Sequence, residues 1–108
     1  MIYQKISPGA KTAEFDYELT PAQMRANVHQ VSVEFSNGAS GTVALYARAN
    51  GRTTYESVTD NGVAVIFDAA DSRTAKIGGD ISAIRLTPTG ISGGETFTPY
   101  FSGWQGDL

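Results

Sequence analysis

Few residues in this chain are equipped for catalysis. There is one histidine, His29, and no cysteine. An imidazole can act as a general base or bind zinc near neutral pH. Here no second histidine and no thiolate can complete a metal site with it. No G-x-S-x-G elbow offers a serine nucleophile. A dinucleotide fingerprint and a phosphate loop are also missing, and Gly78-Gly79 and Gly93-Gly94 read as turn or bulge glycines. His29 therefore reads as a histidine at a strand edge, hydrogen-bonded or solvated, although its parity (29, 31, 33, 35) is the inward one.

The carboxylates give a similar answer. Glu14, Asp16 and Glu18 alternate along one segment. A glycosidase pair converges across a cleft, with one pKa raised. Acids two residues apart on one strand face do not converge, so they read as a solvated face or a contact for a basic partner. Asp60 with Asn61, and Asp68 with Asp71 and Asp80, hold oxygens suited to Ca²⁺, but the spacing matches no D-x-[DN]-x-[DN]-G loop. The arginines Arg48, Arg52, Arg73 and Arg85 are scattered and form no basic run. The sequence thus argues against an enzyme and implies no cofactor and no metal.

The elements that carry these residues read as strands. Twelve glycines and four prolines punctuate short apolar runs. In the three pairs Asn37-Gly38, Asn50-Gly51 and Asn61-Gly62, both residue types tolerate the positive φ of tight hairpin turns. Between turns the side chains alternate, which sends one set inward and the other to water. Phe15, Tyr17 and Leu19 face the core, as do Val31, Val33 and Phe35, then Val43, Leu45 and Ala47. Ile84 and Leu86, then Phe97 and Phe101, repeat the pattern. Thr53–Val58 is a further strand. Val63–Phe67 is apolar on both faces and is read as central or covered by a partner. Pro21–Ala26 allows one helical turn after Thr20, and Asp68–Arg73 another short turn. The expectation is an all-β chain, an antiparallel β-sandwich or jelly-roll-like fold of roughly eight short strands.

With 108 residues and no linker or repeat, residues 1–108 make a single domain. Candidate terminal arms lie at 1–9 and 104–108. Charged residues are 18% of the chain and the net charge is −3, which argues against a nucleic-acid partner. No apolar run is long enough for a signal-peptide core or a membrane span. The expectation is a protein made in the cytoplasm with no membrane partner.

The C-terminal aromatics are the most suggestive feature. Phe97, Tyr100, Phe101 and Trp104 are close together, and Tyr100 and Trp104 take the outward parity. Exposed aromatics on a β face stack on sugars or anchor protein interfaces. Alternatively, Trp104 folds back to close the end of the sandwich.

The stretch Val31–Trp104 resembles small β-sandwich structural proteins of tailed bacteriophage virions, of the head decoration (cement) type. The resemblance is carried by VSVEFSNGASGTVALYARANG (Val31–Gly51) and ISAIRLTPTGISGGETFTPYFSGW (Ile81–Trp104). It implies a virion location and a non-enzymatic role in stabilising the assembled head. The partners it implies are the major capsid protein or other virion proteins, with self-association into a dimer or trimer. The contact residues expected are Ile2, Tyr3, Tyr100, Trp104 and Leu108. Two alternatives stand beside it: a neck, tail or fibre component, and a carbohydrate- or receptor-binding β-sandwich module.

Overall fold

Period-two alternation specifies strands with one buried face. The computed structural model of the protein describes residues 2–70 and 73–106. Among them are β1 (Tyr3–Ile6), β2 (Phe15–Glu18), β3 (Val28–Phe35), β4 (Thr42–Ala49), β5 (Glu56–Ser57) and β6 (Thr59–Asp60). The chain continues through β7 (Val63–Ala64), β8 (Ile66–Asp68), β9 (Thr74–Gly78), β10 (Ile81–Thr89) and β11 (Phe97–Trp104). One sheet has the order β1-β11-β3-β9. The other has β2-β10-β4, with β5 and β8 both paired to the far side of β4. All pairings are antiparallel. If the β5–β8 stretch is counted as one strand, there are eight strands, and the chain changes sheet at every step except from β4 to β5–β8, which are neighbours in one sheet, as in a jelly roll.

The inward residues meet where the pattern puts them. Val31, Val43, Leu45, Ile84, Leu86, Phe97 and Phe101 are all buried. Across the gap between the sheets, Tyr17 of β2 stacks on Phe101 of β11 with ring centroids 4.6 Å apart. Burying each such side chain contributes about 1.5–3 kcal/mol. The turn after Thr20 also forms: the Thr20 hydroxyl accepts from the Gln23 N–H at 3.2 Å, and the Gln23 side chain accepts from the Thr20 N–H at 2.9 Å. At the loop end of the sandwich Gly41 approaches the Gly90 backbone so closely that a Cβ there would collide with it.

Three expectations change. Val63–Phe67 is not a central strand. It lies at the free side of β4, where Val65 and Phe67 are buried but Val63 and Ile66 are exposed. The described part of the 1–9 segment is docked on the sheet: β1 pairs with β11, and the Ser7 hydroxyl donates to the Pro99 carbonyl at 2.8 Å. The 104–108 segment is tied down through Gly106. Asn27 bonds Gly106 both ways, at 3.0 and 2.9 Å, and the Gln105 amide donates to the Arg25 carbonyl at 2.9 Å. Asp107 and Leu108 lie outside the described residues.

The projecting element is internal. The Val58 N–H donates to the Leu45 carbonyl at 3.0 Å, the Leu45 N–H donates to Val65 at 3.2 Å, and the Val65 N–H donates to Val58 at 2.8 Å. Leu45 is thus opposite two residues of one partner strand. Residues 59–64 are looped out between them as the hairpin β6–β7. Its turn takes φ 54° at Asn61 and 80° at Gly62, the positive pair a tight hairpin turn needs.

Candidate functional site

His29 is near the start of its strand, as the second residue of β3. It lies on β3, between β11 and β9, and is fully buried. Its Nδ1 shares a 2.6 Å hydrogen bond with the Tyr3 hydroxyl, and Nε2 has no partner among the described residues. Burial pushes the imidazole pKa down, with a smaller opposing effect from the Ala26 backbone. Burial likewise pushes the Tyr3 hydroxyl up. Two neutral groups therefore hold β1 against β3. Gly103, opposite Tyr3 in the ladder, leaves room for that ring; a Cβ there would collide with it. Tyr3 is half-buried and acts as a clasp within the sheet. Ile2 is half-buried beside it, its N–H donating to the Gly103 carbonyl at 2.9 Å.

The acids and arginines come together on the outer face of β2-β10-β4. Arg85 and Asp16 are opposite on neighbouring strands. The guanidinium grips the carboxylate through Nε–Oδ1 at 2.7 Å and Nη2–Oδ2 at 2.9 Å, with Glu14 at 3.7 Å. Arg48 bonds Glu18 at 2.7 Å and the Ser82 hydroxyl at 3.0 Å. The Tyr55 ring lies 3.9 Å from the Arg85 guanidinium. The Arg85 hydrogen bonds hold the Asp16 carboxyl below its usual value. A carboxylate kept ionised this way is a poor proton donor near neutral pH. This cluster is a self-satisfied brace.

The outer face of β1-β11-β3-β9 is different. Tyr100 and Trp104 both emerge there, half-buried, as their parity requires. Each has a lysine above it: Lys5 Nζ is 4.5 Å from the Tyr100 centroid and Lys76 Nζ 5.8 Å from that of Trp104. Among the described residues no lysine forms an ion pair. Beside Tyr100 lies a shallow polar hollow of about 500 Å³ whose walls include Lys5, Ser32, Glu34, Arg73 and Thr74. Of the expected contact residues, Tyr100 and Trp104 share a surface, the outer face of β11, and Leu108 lies outside the described residues.

The side of the sandwich between β9 and the hairpin is open. Every residue from Thr59 to Ala64 is exposed, Val63 at 69%. Two adjoining hollows flank β9, one of about 300 Å³ between β9 and the β4–β5 pair and one of about 400 Å³ between β9 and the hairpin, and they share Thr59 and Lys76. Their apolar lining comes from Ala47, Ala49, Val58, Ile77 and Ile81 in one and Val65 and Ala75 in the other. One exposed ion pair, Arg73–Asp60 at 3.5 Å, links the hairpin to the start of β9. Sequence reasoning did not single out β9 at all. The signals for the hairpin were present: Asn61-Gly62, and an apolar run, Val63–Phe67, too apolar for a strand with one buried face.

The oxygens considered for Ca²⁺ are dispersed. Asp60 is engaged with Arg73, and Asp68 accepts from the Ala70 N–H at 2.9 Å. Asp71 lies outside the described residues. Among the described residues no three of His, Asp and Glu gather as metal ligands.

No known protein-family profile matches the chain, and no curated protein does.

Proposed function

We propose that this chain is a non-enzymatic structural protein of a tailed-phage particle, a head decoration protein that binds and stabilises the assembled shell. The observation that carries the reading is the looped-out hairpin at 59–64. A two-stranded hairpin contributes little stability by itself in water. This one interrupts an otherwise regular strand to expose a β-branched residue, a use of sequence that suits contact with another protein. The jelly-roll order supports the reading by analogy, since such folds build many viral shells. Decoration works by linkage: a protein that binds only the assembled state stabilises it by mass action. In this reading the partner is the major shell protein, and copies cluster as dimers or trimers about its symmetry axes.

The test is the copy number in purified particles, by quantitative mass spectrometry against the major shell protein. Parity with the shell subunits is expected. A few copies per particle moves the protein to the neck, tail or fibre. Absence from particles sinks the reading.

A second reading is favoured by Tyr100, Trp104 and the polar hollow, which together suit a glycan. Against it, the Lys5 ammonium lies over the ring face that a sugar would need. A glycan array separates the two readings, with no hits expected for the decoration protein.

A further inference from the structure

The edge of β9 has a consequence for how a partner is held. The Gly79 N–H donates to the Asn27 carbonyl at 2.9 Å, which fixes the phase of the β3–β9 ladder. In an antiparallel ladder bonded and non-bonded pairs alternate. Ala75 and Ile77 therefore bond to β3, while the N–H and C=O groups of Thr74, Lys76 and Gly78 point away from the sheet. Among the described residues no other strand pairs with that side. The run is five residues long with unbroken register, and it contains no proline. Such an edge is a template for another strand.

We propose that β9 accepts an extended, acid-bearing segment of a protein partner as an added strand, seated in the hollows that flank β9. The inference rests on the assembly reading for the partner's source. An added strand would alternate its side chains as β9 does. One set would continue the outer face beside Lys76, where a carboxylate meets an ammonium that has no ion-pair partner among the described residues. The other set would point over Ala47, Ala49, Val58 and Ile81, in the hollow between β9 and the β4–β5 pair. Backbone pairing supplies affinity and the alternate pockets supply selectivity. A second copy of this chain fits less well, because symmetric pairing about the middle of β9 sets Lys76 against Lys76 of the copy. The lysine that deters self-pairing attracts an acidic strand.

The probe is a synthetic peptide of about eight residues, enough to span β9, in which valine alternates with aspartate. Its twin carries lysine in place of aspartate. The aspartate peptide is expected to bind, and the twin about tenfold more weakly or not at all. Lys76→Glu should reverse that order. Lys76→Pro removes an outward N–H together with the ammonium; edge strands tolerate such a proline, and the change should abolish binding of both peptides while the protein stays folded. Should that variant unfold, Lys76→Glu and amide exchange carry the test. In the free protein the Thr74, Lys76 and Gly78 amides should exchange faster than those of Ala75 and Ile77, and they should slow when the aspartate peptide is added. Equal binding of the two peptides, or slowed exchange elsewhere only, overturns the proposal. So does a dimer of the free protein that Lys76→Glu dissociates, since the second copy would then be the occupant. The assay needs no particle, so the protein's absence from particles would sink the decoration reading without deciding this one.

Discussion

β2 and β9 are both edge strands, and they are defended differently. The Leu19 N–H donates to the Ser82 carbonyl at 3.0 Å. That phase turns Phe15 and Tyr17 toward β10 and leaves the backbone of Asp16 and Glu18 facing outward. On β9 the outward set is Thr74, Lys76 and Gly78. Over the β2 edge stand two carboxylates clamped by Arg85 and Arg48. Over the β9 edge stand one lysine and a glycine, beside a groove and a projecting hairpin. Charge held in place protects an edge. Its scarcity on β9, in a sheet that is otherwise regular, marks the side where contact with another chain costs least.

The largest effect is expected at the junction that holds the hairpin. Leu45 is buried at 1% exposure and is bonded to both Val58 and Val65. Leu45→Ala should cost about 2–5 kcal/mol by urea denaturation. The Val58 and Val65 amides should lose exchange protection before Tyr17 does. Equal loss on both sides of the sandwich would mean that the hairpin is not a separately anchored element.

Next in size is a change beside β1, on the defended side. A Cβ at Gly103 forces the Tyr3 ring away from His29. Gly103→Ala should cost about 1–3 kcal/mol. It should free the β1 amides while leaving β9 as it was. A thermal melt unchanged from wild type would show that the Tyr3 clasp contributes nothing.

A pH dependence follows from the same clasp. The His29 pKa is lowered from 6.5. Above about pH 6.5 the imidazole is neutral in both folded and unfolded chains. Below it, the unfolded chain binds a proton that the folded chain resists. Stability therefore falls with acid until the lowered folded value is reached. Asp16 and Glu95, whose pKa values the fold also lowers, lose their contribution only below about pH 4. Urea midpoints should decline between about pH 7 and about pH 5, and His29→Gln should flatten that slope. An equal slope in both proteins would assign the decline to other groups.

Most of the core was legible in the residues. Alternation alone places Val31, Val43, Leu45, Ile84, Leu86, Phe97 and Phe101, because a two-layer sandwich buries one side of every long strand. Tyr100 and Trp104 emerge where parity sends them. What escaped is what long-range pairing decides. β9 reads Thr-Ala-Lys-Ile-Gly, with one large apolar residue, and an edge strand needs little more. Its existence depends on β3 offering a free side. His29 had the inward parity, but that β9 would cover its other flank could not be read from its neighbours. The split of Thr53–Phe67 into four short strands likewise depends on Leu45, a residue of a different strand.

The smallest stability effect is expected where the comparison of edges is tested most directly. Asp16→Thr with Glu18→Thr removes both carboxylates from the β2 edge and keeps a residue type that strands favour. The lost ion pairs are exposed, and exposed pairs contribute little. The melting temperature should therefore fall less than in any variant above. The edge itself should change character. With no clamped charge over Phe15–Glu18, its outward N–H and C=O groups become as available as those of β9. Sedimentation velocity should then show association that rises with concentration, and adding Lys76→Glu should leave that association intact, because it runs through β2. A monomeric double variant that loses as much stability as Leu45→Ala would show the opposite: the acids would be part of what holds the sheet together, and the openness of β9 would need a cause other than missing charge.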